Sequence, residues 1–151
     1  MMRYIYLIIL GLFFSVINME ANNSASISLV PCPTNVVPGI GSFQFTPKTV
    51  FAVETEEQAA IVRLLSDQFT CAAGFTPKLK VDSKKGNLVL QTDKTIKSEA
   101  YCLEITPKKI TVKAADAKGF FYALQSIRQL LPPAIESAVK VDGTECIVPA
   151  M

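Results

Sequence analysis

The side chains able to do acid–base or nucleophilic chemistry in this chain are few and scattered. Glu56-Glu57 is the only adjacent carboxylate pair, and it falls where a helix begins, a place where the helix dipole favours negative charge for structural reasons alone. Asp82, Asp93, Glu99, Asp116, Asp142 and Glu145 fall at turns and strand ends, and no two are spaced to flank one substrate. The chain contains no histidine, which removes imidazole acid–base catalysis, Ser-His triads and most zinc sites. A serine or cysteine nucleophile would have only lysine or a carboxylate as its base, and no GxSxG is present. Gly39-Ile40-Gly41 is too short for a phosphate-cradling loop and does not open a helix. Arg128 is the one residue with the character of an anion clamp, and its helical setting beside Phe121 and Gln125 reads better as an interface or capping position. No catalytic residue and no metal ligand is assigned, and no cofactor is expected.

The cysteines, Cys32, Cys71, Cys102 and Cys146, are too far apart for a CxxC redox pair or a metal knuckle. In an oxidising compartment they allow three pairings, which sequence cannot separate. Small residues without a bond are the simpler reading, since the domain is large enough not to need staples. Basic residues are dispersed, with Lys84-Lys85 and Lys108-Lys109 as isolated pairs beside turns. Nucleic acid is therefore not an expected partner.

Stepwise along the chain, Arg3 and the apolar stretch from Tyr4 to Ile17 read as an export signal over residues 1–25. About 14 apolar residues suit a signal core, whereas a spanning helix takes roughly 20. Cleavage is expected near Ala21 or Ala25, leaving an exported protein, periplasmic or extracellular, with no stable membrane insertion. About 125 residues remain, enough for one domain with a real core.

That domain is expected to be α+β: a mostly antiparallel β-sheet with two helices packed on one face. Pro31, Pro33 and Pro38 mark an extended N-terminal arm. Ser42 to Phe45, Thr49 to Val53, Lys78 to Val81 and Leu88 to Thr92 read as strands, with Asp82 to Asn87 as the turn between the last two. Thr55 is the N-cap of a first helix, with Gln58 completing a capping box and Gly74 ending it. Its apolar residues are Ile61, Leu65, Phe69 and Ala72, flanked by Leu64 and Val62; Ser66 belongs to the polar side. Tyr101, Leu103 and Ile105, then Ile110, Val112 and Ala114, alternate through a hairpin turning at Pro107-Lys108-Lys109.

A second helix runs from the Asp116 N-cap to Leu131, where Pro132-Pro133 stop it. Phe120, Ala123, Leu124, Ile127, Leu130 and Leu131 span about 120° of one face, enough to cover a sheet. Phe121 and Tyr122 fall outside that arc, with Gln125, Arg128 and Gln129, and two large aromatics there call for a second covering surface. Beyond the helix, Val139 to Val141 reads as a short strand and Cys146 to Met151 as an apolar run.

Residues Ser98 to Pro132 carry a specific pattern. Ser98-Glu99-Ala100-Tyr101-x-Leu103-x-Ile105 is followed by Ile110-Thr111-Val112-x-Ala114. Then comes the run from Gly119-Phe120-Phe121-Tyr122-Ala123-Leu124-Gln125 to Leu130-Leu131-Pro132. This resembles the N-terminal non-catalytic domain of bacterial-type β-N-acetylhexosaminidases, family 20 glycoside hydrolases; Leu29-Val30-Pro31-x-Pro33 is similar to the start of the family's mature chain. The resemblance implies residues 26–133 as that domain and 134–151 as the start of the junction to a missing (β/α)8 catalytic barrel. Phe121, Tyr122, Gln125 and Arg128 become the candidate inter-domain surface.

It also implies a parent enzyme that removes terminal N-acetylhexosamines from glycans by a substrate-assisted mechanism. There an adjacent Asp-Glu pair orients the substrate's acetamido group and supplies the proton, and tryptophans line the pocket. All of this belongs to the barrel; this chain has no Asp-Glu dipeptide and no tryptophan. Cys146 stands where the family often carries tryptophan. Two other readings stay open: an autonomous glycan- or protein-binding module, and the equivalent domain of glycosidases acting on O-linked N-acetylglucosamine or on glucuronides.

Overall fold

The structure, a computed structural model, describes residues 29–151; the export signal expected over residues 1–25 lies outside them. Short alternating segments make the strands β1 (Ser42–Gln44), β2 (Val50–Ala52), β3 (Lys78–Lys80) and β4 (Leu88–Thr92). The hairpin strands β5 (Tyr101–Ile105) and β6 (Ile110–Ala114) follow, and β7 (Ile147–Pro149) closes the chain. Helix α1 covers Glu56–Gln68 and helix α2 Ala117–Leu130. Among the described residues this is one α+β domain with two helices, as expected.

Strand direction is where the fold departs from expectation. The larger sheet has the order β3-β2-β4-β6-β5. Its β2–β3, β2–β4 and β4–β6 pairs are parallel, and only β5–β6 is antiparallel. A second, two-stranded sheet pairs β1 with β7 antiparallel. The mostly antiparallel sheet is thus corrected to a mixed one. Two connections cause this. Helix α1 carries the chain from β2 back to a parallel β3, as a crossover must. The Asp82–Asn87 loop then steps across β2 instead of turning back on β3, tied by Asn87 N–H to the Val50 carbonyl (2.7 Å) and Val50 N–H to Asn87 Oδ1 (3.0 Å).

Register places the main core on one face of the sheet, while Ala52 and Val89, paired with each other and fully buried, lie on the other. Phe51 stands beside Leu79 and Leu88, Leu90 beside Val112, and Ile110 and Val112 opposite Ile105 and Leu103. These pack against Val62, Leu65 and Phe69 of the first helical segment and Phe120, Leu124 and Ile127 of α2 in one core. Lys78, Lys80, Cys102, Glu104 and Lys113 share that second face and are exposed there. Phe69 is the centre of an aromatic group, 4.7 Å from Phe45 and 5.5 Å from Phe75 between ring centroids, a spacing that adds to simple area burial.

The helix caps form as read. Thr55 Oγ1 accepts from Gln58 N–H (3.2 Å), and the Gln58 side chain reaches back to Glu54 N–H (2.8 Å), one residue before the N-cap. Its amide also donates to Thr92 Oγ1 (3.1 Å), joining the helix start to the end of β4. Asp116 Oδ1 accepts from Gly119 N–H (2.9 Å). Helix α1 runs into a π-helical turn, Phe69–Ala73, and ends at left-handed Gly74 (φ 74°).

Two local expectations are corrected. Ser66 is buried, while Leu64 is 56% exposed, because the core-facing stripe centres on Ala59, Val62 and Phe69. The strand expected at Val139 to Val141 does not form; that segment is irregular, with a bend at exposed Val139 and a turn following at Asp142-Gly143. From 134 onward, Ile135, Cys146 and Val148 enter the same core.

Candidate inter-domain face

Three carboxylates, Glu54, Asp93 and Asp116, are occupied by structural donors. Thr92 N–H donates to Glu54 (2.8 Å) and Lys84 Nζ lies 3.4 Å from it; these hold its carboxyl below the usual range against opposing burial. The Ser98 hydroxyl (2.6 Å) and the Gly119 and Glu99 amides do the same for Asp116, and the Thr95 hydroxyl and amide for Asp93. Carboxylates held low are bases too weak and acids too strong for proton transfer near neutrality. Ser137 and Lys140 have SxxK spacing. The Ser137 hydroxyl donates to the Val139 carbonyl (2.6 Å) and Lys140 pairs with Asp142 (2.8 Å), so they form no Ser-Lys couple. Cys32, Cys71 and Cys102 are exposed thiols; Cys146 is buried, and burial pushes its thiol up. Among the described residues no group of three His, Cys, Asp or Glu side chains is placed to hold a metal ion. No described helix is long and apolar enough to cross a membrane.

The surface that stands out is the outer side of the helix pair. A groove between the helices is lined by Ile61, Leu64 and Gln68 of α1 and by Phe121, Gln125 and Arg128 of α2. Phe121 is 38% exposed, and Tyr122 beside it 44%, with ring centroids 5.9 Å apart in an edge-to-face arrangement. The side-chain oxygen of Gln68 is shielded from solvent there and has no hydrogen-bond partner. A shielded, unpaired acceptor costs stability unless something completes it.

Three of the four residues named from sequence, Phe121, Gln125 and Arg128, share this groove, and Tyr122 flanks it. Arg128 is engaged: its Nε donates to Glu136 Oε1 (2.6 Å), its Nη2 to Glu136 Oε2, and its Nη1 weakly to Gln125 Oε1 (3.4 Å). This pair lifts the guanidinium pKa and lowers that of the Glu136 carboxyl. Arg128 thus straps the short 3-10 helix Pro133–Glu136 to α2 and is not free to clamp an anion. Leu64 and Gln68 were not recognised as part of this surface. The signal was available: at 100° per residue, Leu64 lies about 160° from Val62 round the helix, too far to share its core contact.

Comparisons with known proteins agree with this architecture. The family model "Glycosyl hydrolase family 20, domain 2" matches residues 26–149. The chain is 29% identical over 119 residues to a beta-hexosaminidase of Porphyromonas gingivalis, covering 76% of this chain and 15% of that protein. It is 26% identical over 131 residues to a beta-hexosaminidase of Vibrio furnissii, covering 87% and 20%. Among solved structures, the N-acetyl-beta-hexosaminidase of Streptomyces plicatus aligns over 80% of this chain and 24% of its own, with a TM-score of 0.72 and 29% identity. The β-N-acetylhexosaminidase of Streptomyces coelicolor aligns over the same shares, with a TM-score of 0.70 and 28% identity. The chain therefore spans a quarter or less of each of these relatives. With the family match running through almost all the described residues and the fold the same, this chain belongs to glycosyl hydrolase family 20, as its domain 2, a non-catalytic domain of hexosaminidases.

Proposed function

We propose that this domain supports the (β/α)8 catalytic barrel of an exported β-N-acetylhexosaminidase, which removes terminal N-acetylhexosamines from glycans. The observation that carries the reading is the apolar outer face of the helix pair. Leu64, Phe121 and Tyr122 stand exposed together around a groove holding an unpartnered Gln68 oxygen. A hydrophobic surface of this kind on a domain with its own core marks an interaction site, and a domain interface within one chain is what it fits. The barrel would cover the aromatics and offer a donor to Gln68. Glycan recognition and the chemistry belong to the barrel, and this domain's part is to hold it. The segment over residues 1–25 would direct the protein to a periplasmic or extracellular location.

The test is the size of the native protein, by immunoblot of source cells with an antibody to this domain. A band several times the mass of this chain supports the reading, and assay for hexosaminidase activity moves to that protein. A band near 16.4 kDa, or slightly below it after signal removal, overturns it.

A further inference from the structure

Among the described residues, outer main-chain pairing along one edge strand stops at Ile105. Strand β5 is the edge of the five-stranded sheet. Thr106 and Lys109 exchange main-chain bonds with each other, as do Ile105 and Met151 (2.9 and 3.0 Å). Main-chain groups alternate sides along a strand, so those of Tyr101, Leu103 and Ile105 point to the outer edge and those of Cys102 and Glu104 toward β6. Met151 satisfies Ile105. Among the described residues, Leu103 and Tyr101 have no outer main-chain partner.

Beside them lies a cleft of about 490 Å³. One wall is β5 from Tyr101 to Leu103, the other is the arm carrying Pro31 and Pro33, and Met151 sits at its end. The arm is anchored at both ends. The Gln129 side chain makes two 2.9 Å bonds to the Val30 main chain, and Gly39 N–H donates to the Ala150 carbonyl (2.8 Å). Proline has no amide hydrogen, so this wall is poorly suited to zip onto β5 itself, and it leaves space for a strand between.

We propose that this cleft is a strand-acceptor site, filled by an antiparallel strand that runs directly on from Met151 in the longer polypeptide. This rests on the proposed function, which supplies that polypeptide. In the register set by Ile105 and Met151, the second residue after Met151 pairs with Leu103 and the fourth with Tyr101. Those two positions face α2 beside half-buried Leu103 and Tyr101 and take apolar side chains; the residues between them face solvent beside Glu104 and Cys102 and take polar ones. From Ile105 to Tyr101 is about 13 Å at the usual rise per residue. The strand would remove an open sheet edge, otherwise a template for self-association, and tie the helix-bearing sheet to whatever follows.

The test compares three proteins by amide hydrogen exchange read by NMR: the chain as it stands, the chain extended after Met151 by threonine-isoleucine-threonine-valine, and the chain extended by threonine-proline-threonine-proline. The expected result is that the Leu103 and Tyr101 amides exchange on the order of 100-fold more slowly with the alternating extension than in the other two. The Cys102 and Glu104 amides, bonded to β6, should exchange alike in all three. Equal exchange of Leu103 and Tyr101 in all three overturns the proposal. Protection in the unextended chain that grows with protein concentration overturns it as well, and assigns the edge to a second copy. None of these readings depends on activity, so a small native protein on the immunoblot would remove the proposed enzyme without deciding the cleft.

Discussion

Replacing Gly119 by alanine tests how closely α2 lies on the sheet. Gly119 is the third residue of the helix, and on propensity alone alanine there should stabilise by about 1 kcal/mol. The tertiary contact opposes it. A Cβ at this position would stand 2.5 Å from the Ala100 carbonyl oxygen and 2.8 Å from Ala114 Cβ, about 1 Å inside normal carbon contact distance. Ala100 leads into β5 and Ala114 ends β6, so the first obstacle is main chain that cannot rotate aside. Overpacking of this kind costs about 1–3 kcal/mol, and with no relief from backbone the upper part of that range applies. Subtracting the propensity gain leaves a net loss of about 1–2 kcal/mol, or roughly 4–8 °C in Tm for a domain of this size. Urea and thermal unfolding followed by far-UV circular dichroism should give a lower midpoint with unchanged slope. Gly143→Ala is the comparison: it has a φ of 77° and nothing within 4 Å, so it should lose only about 1 kcal/mol, from backbone strain. A Gly119→Ala variant as stable as the parent, or more so, would refute the reasoning and mean that α2 rides further from β5 and β6 than described.

Three other outcomes are expected. Tyr101→Phe removes the 2.6 Å bond between the Tyr101 hydroxyl and Ser126 Oγ that ties β5 to α2, and should cost about 1 kcal/mol in urea unfolding. The double change Leu64→Ser with Phe121→Ser alters the outer face; in the isolated chain it should cost about 0.5 kcal/mol at Leu64 and about 1 kcal/mol at Phe121, which loses its edge-to-face contact with Tyr122, while reducing self-association in sedimentation velocity. Glu54 has a folded pKa below its ordinary 4.5, so its stabilisation is complete above that value and is lost as pH falls through the folded one. Unfolding midpoints should therefore drop on acidification below about pH 4.5, and Glu54→Gln should make that drop shallower.

Local structure was legible because it is written in short-range patterns. The Thr55 and Asp116 caps, the turn from Thr106 to Lys109 between β5 and β6, and the stop at Pro132-Pro133 all depend on residues within four positions of one another. So did the exposure of Phe121 and Tyr122, which follows from helical spacing once the core stripe of α2 is known. The resemblance carried by Ser98 to Pro132 named the family from the same residues. What the tertiary structure decided is which distant elements meet. A strand's alternation says which face it buries but not its neighbour or direction, so only the folded chain placed β2 between β3 and β4 and made the sheet mixed. The same limit left open which of Leu64 and Val62 turns inward: helical spacing says only that they cannot share one buried face, and the rotation of α1, with Phe69 against Phe45, settled it. It also hid the unfinished edge at Leu103 and Tyr101, which exists only because Met151 arrives beside Ile105 from 46 residues further along the chain.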